Sequence, residues 1–178
     1  ARVLYMYGEM NNSRQIAKKI VSARSKKAIE RTEELVAMLV GKTPSLPLQG
    51  GIDGQALDIP TGAKKEMAKL FQALRIEVNK EMDALREMLT AATEVLKPAG
   101  RLVVITYHSL EDRMVKNIMK TGNVEGKMKQ DFYGRIESPY KLVTTKPVTP
   151  TAEEQNINPR SRSAKVRLAE RREGRAKR

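Results

Sequence analysis

Lys97-Pro98-Ala99-Gly100, followed by Arg101-Leu102-Val103-Val104-Ile105-Thr106-Tyr107-His108-Ser109-Leu110-Glu111-Asp112-Arg113, is the stretch from which the fold is read. Pro98 and Gly100 stop the segment before them. Leu102-Val103-Val104-Ile105 shows no polar alternation. A short apolar, largely β-branched run between turn residues predicts a strand covered on both faces, as in a parallel sheet. Ser109 then opens a helix, because Ser109-Leu110-Glu111-Asp112 has the hydroxyl-x-x-acid form of a capping box. Met114, Val115, Ile118 and Met119 give that helix an apolar side. Upstream, Met67, Phe71, Leu74, Val78, Met82, Leu85, Leu89, Ala92 and Leu96 recur at steps of three and four. That spacing predicts a helix over 64–97, with a break near its start. Residues 73–120 thus read helix–strand–helix, the repeating unit of an α/β sheet.

Outward from this core the signals are local. Ile16, Ala17, Ile20 and Val21 mark one face of a helix over 12–30, with Asn12 or Ser13 as its cap. Thr32 caps a second helix, whose apolar side is Leu35, Val36, Leu39 and Val40, and Gly41 ends it. Residues 42–62 carry four glycines and three prolines and read as a loop or linker. Within it Gly50-Gly51-Ile52-Asp53-Gly54 lacks the Lys-Ser/Thr of a phosphate loop and the acidic ladder of a calcium loop. Downstream, Leu142-Val143-Thr144-Thr145 predicts a strand. Ala164, Val166 and Leu168 alternate with Lys165 and Arg167 and predict another. A short acidic helix fits Thr151–Gln155, and past Arg171 the tail is too charged to bury.

The 178 residues carry 34 Lys+Arg against 21 Asp+Glu, a formal charge of +13. Residues 14–31 hold seven basic side chains against Glu30 alone, and residues 160–178 hold nine against Glu170 and Glu173. These two segments account for the whole net charge. Such concentration is the footprint of a nucleic-acid binder, and Lys18, Lys19, Lys26, Lys27, Arg160, Arg162, Lys165 and Arg167 are the candidate phosphate contacts. Tyr107, Phe132, Tyr133 and Tyr140 are candidate stacking partners. The absence of cysteine excludes a disulfide scaffold, a thiolate metal site and a Cys nucleophile. No run of 18 apolar residues reads as a membrane span.

The one histidine, His108, falls where the 102–105 strand ends and a helix begins, the end of a strand at which open α/β sheets bind ligands. Ser109, Glu111 and Asp112 crowd the same turn, and these four are the candidate substrate-pocket residues. A Ser109–His108 nucleophile–base pair is rejected, because adjacent residues rarely aim at each other. One His and no Cys make a poor metal site, so none is expected. No Gly-x-Gly opens a helix after a strand, so no cofactor cradle is read here. On these residues alone, a non-enzymatic basic RNA-binding protein is the rival reading.

Three separated motifs occur together: Phe71-Gln72-Ala73-Leu74-Arg75-Ile76-Glu77-Val78-Asn79, the 100–113 stretch, and Lys146-Pro147 followed by Asn158-Pro159-Arg160-Ser161-Arg162-Ser163-Ala164-Lys165. With Tyr7-Gly8-Glu9 and Arg14-Gln15-Ile16-Ala17, they resemble the bacterial small-subunit rRNA methyltransferase H, or MraW, family. The resemblance implies an α/β fold, a partial class I (Rossmann-like) methyltransferase sheet with an all-helical insertion domain. It assigns residues 1–70 to the later part of the insertion and 71–178 to the C-terminal half of the methyltransferase domain. It implies S-adenosyl-L-methionine-dependent N4-methylation of a cytidine in 16S rRNA, in the cytoplasm. The family's glycine-rich cofactor loop and ribose-binding acid have no counterpart here, and the chain opens on Ala1. The expectation is therefore the rear part of a longer enzyme, inactive alone, with an open sheet edge through which two copies would pair.

Overall fold

The computed structural model describes residues 1–41, 61–130, 132, 134 and 138–173. The helices are α1 (Arg2–Gly8), α2 (Ser13–Arg24), α3 (Thr32–Val40), α4 (Thr61–Asn79), α5 (Glu81–Val95), α6 (Ser109–Thr121) and α7 (Ala152–Ile157), with a 3-10 helix at Pro159–Ser163. The strands are β1 (Arg101–Thr106), β2 (Tyr140–Leu142) and β3 (Lys165–Arg171). The chain divides into two compact units, Ala1–Glu81 and Met82–Arg178. The 50–54 glycine run lies outside the described residues.

In the first unit the core is Leu4, Met10, Ile16, Leu35, Met67, Leu70 and Ala73. The 64–97 periodicity is broken at Lys80, whose φ of 53° is left-handed, and not near its start as expected. The apolar spacing runs straight across Lys80, so period alone does not locate the break. Polar contacts mark it instead: Arg75 donates to both Glu81 oxygens at 2.8 and 3.1 Å, and Asn79 Nδ2 to one of them at 3.1 Å. The buried column of α4 is Met67, Leu70, Ala73 and Ile76, one step around the helix from the expected one, and Val78 is left exposed. Helix α2 stops at Arg24, short of 30. Gly41 ends α3 at φ 74°, a conformation that suits glycine.

In the second unit α5 and α6 pack on one face of the sheet. Leu89, Leu102, Met114, Val115, Ile118, Met119, Tyr140 and Ala169 form the unit's core, with Met82, Leu85, Ala92 and Leu96 packed against them. The Tyr140 hydroxyl lies 2.8 Å from Thr93 Oγ1, so this tyrosine is a core residue and no stacking partner.

The sheet order is β1-β3-β2, with β3 antiparallel to both neighbours. Strands β1 and β2 therefore run in the same direction, joined through α6, with β3 inserted against them. Two expectations are corrected here. Strand β1 is not covered on both faces: Leu102 and Thr106 are buried, whereas Val103 and Ile105 are 53% and 56% exposed. The helices reach only one face, so an unbroken apolar run sits on a half-covered strand. Its hydrogen-bonded neighbour is antiparallel. Strand β2 begins two residues earlier than expected, at Tyr140, and ends at Leu142, although Val143 N still donates to Leu168 O at 3.1 Å. Among the described residues no strand pairs with the outer edge of β1.

The turn into β1 is tied to the end of β3: Ala99 N donates to Arg171 O at 2.9 Å and Arg171 N to Gly100 O at 2.8 Å. A Cβ on Gly100 would lie 2.8 Å from Lys97 O and 3.1 Å from Leu96 Cδ2. Gly100→Ala is expected to cost about 1–2 kcal/mol by overpacking; urea unfolding with an unchanged midpoint would contradict this.

Candidate functional site

The candidate site is the turn from β1 into α6. Backbone geometry at this turn follows from a reciprocal cap. His108, extended at φ −139° and ψ 165°, is the N-cap. Its Nδ1 accepts from Glu111 N at 3.4 Å, while Glu111 Oε2 accepts from Tyr107 N at 2.9 Å and His108 N at 3.3 Å. The capping box is thus His108–Glu111, one residue before the one expected from Ser109. A histidine nitrogen serves in place of a hydroxyl. Because Nδ1 accepts, the neutral imidazole carries its proton on Nε2. That atom is buried with no hydrogen-bond partner; Glu111 Oε1 is 3.3 Å away but out of line.

Asp112, in the first turn of α6, is held from the sheet. Arg167 of β3 donates to it twice, Nε to Oδ1 at 2.6 Å and Nη2 to Oδ2 at 3.0 Å. Both side chains are 12% exposed, and Lys165 Nζ is 3.6 Å from Oδ2. The Arg167 guanidinium, and to a lesser degree Lys165, holds the Asp112 carboxyl below its usual range against the opposing effect of burial. Burial alone would raise Glu111; the His108 side chain and the Tyr107 and His108 N–H groups outweigh it and hold its carboxyl low. Both acids are therefore ionised at neutral pH, acceptors only.

The four candidate residues are therefore close together but differ in role. Asp112 is buried behind the turn, and the His108 side chain is 10% exposed. Ser109 and Tyr107 are exposed on it, and the Glu111 side chain is 26% exposed. Arg167 is engaged by Asp112, which removes it from the free phosphate contacts expected of it. Arg160 and Arg162, on the 3-10 helix, are exposed. Arg160 and Tyr107 share a hollow of about 210 Å³ with Ile105, Val148, Pro150 and Asn158 on the open face of the sheet.

In the first unit, Lys18 and Lys19 on α2 and Lys26 just past its end are exposed and, among the described residues, form no ion pair. They line one hollow with Gln15, Ser22 and Met38. Lys27 is paired with Glu34 at 2.9 Å, and Glu34 also accepts from Glu30 N and Arg31 N. The Lys27 hydrogen bond first, then these N–H groups, pull Glu34 down to about 2. Phe132 is exposed, and Tyr133 lies outside the described residues.

A nucleoside cofactor needs a free ribose-binding acid and a phosphate- or chain-accommodating loop at a strand end. Here the acids after β1 are engaged, Glu111 through Oε2 in the cap and Asp112 in the Arg167 pair. Among the described residues, no group of three or more His, Asp or Glu could hold a metal ion. No helix among them is long and apolar enough to cross a membrane.

The geometry is that of a small α/β sheet with a polar strand-to-helix turn at the carboxyl end of β1. A family model described as the MraW methylase family matches residues 1–172. Ribosomal RNA small subunit methyltransferase H of Bacteroides fragilis is 56% identical over 170 residues, covering 96% of this chain and 51% of that protein. The proteins of the same name from Bacteroides thetaiotaomicron and Phocaeicola vulgatus are each 55% identical, covering 96% and 97% of this chain and 51% and 52% of their own. The chain belongs to the MraW methylase family. It spans about half the length of the curated relatives it matches.

Proposed function

We propose that the chain is the rear half of an rRNA methyltransferase that uses S-adenosyl-L-methionine to methylate N4 of a cytidine in small-subunit rRNA. In that reading Met82–Arg178 carries strands of a class I, Rossmann-like sheet. The observation that supports it best is the sheet itself: β1 and β2 parallel, β3 antiparallel between them, and the outer edge of β1 left unpaired. The methyl donor sits on the part of the relatives' length that this chain does not span. That part adds strands to the β1 edge and covers Val103 and Ile105. Residues 1–70 are the later part of the helical insertion.

The turn supplies one wall of the cytidine pocket. The target base leaves its stack to reach it. Its exocyclic amine offers N–H donors and is a weak nucleophile, because its lone pair is drawn into the ring. Glu111 Oε1, ionised and not used by the cap, is the acceptor that orients the amine and takes hydrogen bonds as positive charge grows on it. His108 and Asp112 are positioning residues: the first fixes the Glu111 backbone, and the second fastens α6 to β3.

Lys18, Lys19, Lys26, Arg160 and Arg162 are the free cations for rRNA phosphates. Binding of small-subunit rRNA is expected to weaken steeply with salt, the logarithm of affinity falling by about 0.7–0.9 per phosphate contact for each tenfold rise. Filter binding across a NaCl series that shows a flat response contradicts the grip. The catalytic reading is tested by transfer of labelled methyl from S-adenosyl-L-methionine to small-subunit rRNA by a full-length polypeptide containing this chain. Label on cytidine N4 is expected, and its absence refutes the reading.

A further inference from the structure

The Met82–Arg178 unit holds a second hollow, away from the Glu111 turn, of about 230 Å³ between α6 and the β2–β3 side of the sheet. Lys116 and Lys120 stand on one side, Thr144 and Thr145 on the other, with Leu142 and Arg167 at the back. The two lysines are four residues apart on α6, so their ammonium groups share one helix face and repel. Both are exposed and, among the described residues, neither has an ion-pair partner. No acidic side chain lines the hollow, and the charge of Arg167 is already met by Asp112 at 2.6 Å. Thr144 Oγ1 is buried and has no hydrogen-bond partner. A buried hydroxyl without a partner is rare in folded proteins and calls for an explanation. The volume lies below the roughly 300–1,000 Å³ of pockets that hold whole small molecules. The hollow thus suits a single anionic group rather than a cofactor.

We propose that this hollow binds a phosphate group of the RNA backbone, with Lys116 and Lys120 neutralising it and Thr144 and Thr145 donating hydrogen bonds. The proposal rests on the reading of the chain as part of an RNA-modifying enzyme. It adds a contact on α6 and the segment after β2 to those on and beside α2 and on the 3-10 helix.

The test uses the 178-residue chain and a fluorescent single-stranded RNA 12-mer, followed by anisotropy across a NaCl series. K116Q/K120Q is expected to bind about fivefold more weakly, with a salt slope shallower by about 0.7, the loss of one single-strand phosphate contact. T144V keeps the shape, removes only the unpartnered hydroxyl, and is expected to weaken binding about threefold. Its melting temperature stays at or above that of the parent, which separates a binding effect from misfolding. The charge control is K64Q/K65Q, on exposed lysines of α4. Variants that superimpose on the parent, or a K116Q/K120Q loss no larger than that of K64Q/K65Q, overturn the proposal. Calorimetry with inorganic phosphate distinguishes the source: phosphate binding lost in K116Q/K120Q with RNA affinity unchanged assigns the hollow to free phosphate and overturns the RNA contact. A parent chain that binds no RNA overturns both this proposal and the reading beneath it.

Discussion

Asp112→Ala is expected to lower the unfolding free energy of the Met82–Arg178 unit by about 3 kcal/mol, the low end for breaking a buried ion pair. The loss is large because it leaves Arg167, 12% exposed and donating at 2.6 and 3.0 Å, with no acceptor. It also unfastens the first turn of α6 from β3. For a unit of this size, 3 kcal/mol corresponds to a melting temperature lower by roughly 10–20 °C. Removing both charges, Asp112→Leu with Arg167→Met, is expected to recover most of the loss, since a buried pair is often replaceable by apolar side chains. Calorimetry in which Asp112→Ala melts within 2 °C of the parent would contradict the pairing.

The same carboxylates fix the acid limb of stability. Asp112 and Glu111 are held below their ordinary values of 3.8 and 4.5. A group depressed in the folded state contributes fully above its unfolded value and loses that contribution as pH falls through the folded one. Stability is therefore expected to be level from neutrality to about pH 5 and to fall below about pH 4. Asp112→Asn flattens that fall.

The second large effect concerns turnover. In the full-length enzyme, Glu111→Gln is expected to reduce methyl transfer by about 100-fold or more, the usual scale for losing one well-placed polar group at a reacting centre. Affinity for S-adenosyl-L-methionine is expected to stay within threefold, since the proposed function places the donor outside this chain. His108 acts through Glu111, so its variants separate position from chemistry. His108→Ala removes the cap acceptor and lowers turnover; His108→Asn restores a good N-cap side chain and most of the activity. Equal activity of His108→Ala and the parent removes the positioning role. Full activity of Glu111→Gln removes the turn from the pocket wall.

Much of this was legible in the residues. The helix–strand–helix core around 73–120 follows from period and punctuation, and so do the short acidic helix and the alternating third strand. Three features were not. The unbroken apolar run of β1 signals burial on both faces, whereas only Leu102, Val104 and Thr106 face the helices; period reads hydrophobicity and not what lies opposite. The break at Lys80 depends on a positive φ and on Arg75 and Asn79 reaching Glu81, neither of which has an apolar signature. The Asp112–Arg167 pair joins residues 55 apart and converts an expected phosphate contact into a structural tie. The one available hint was that Arg167 alternates with apolar neighbours on a strand, which places it on the same face as Ala169 and Leu102. His108 shows the reverse: the sequence marks its place at the end of a strand, but only the backbone reveals that its ring caps α6 and faces inward.

In the proposed function this chain lends walls and cations to a methyltransferase whose donor seat lies in the half of its relatives that it does not span. Isothermal titration with S-adenosyl-L-methionine tests it most directly, run on the 178-residue chain and on a chimera preceded by the corresponding N-terminal half of the Bacteroides fragilis protein. No measurable heat is expected from the chain alone, and saturable binding is expected from the chimera. Micromolar binding by the chain alone would contradict it.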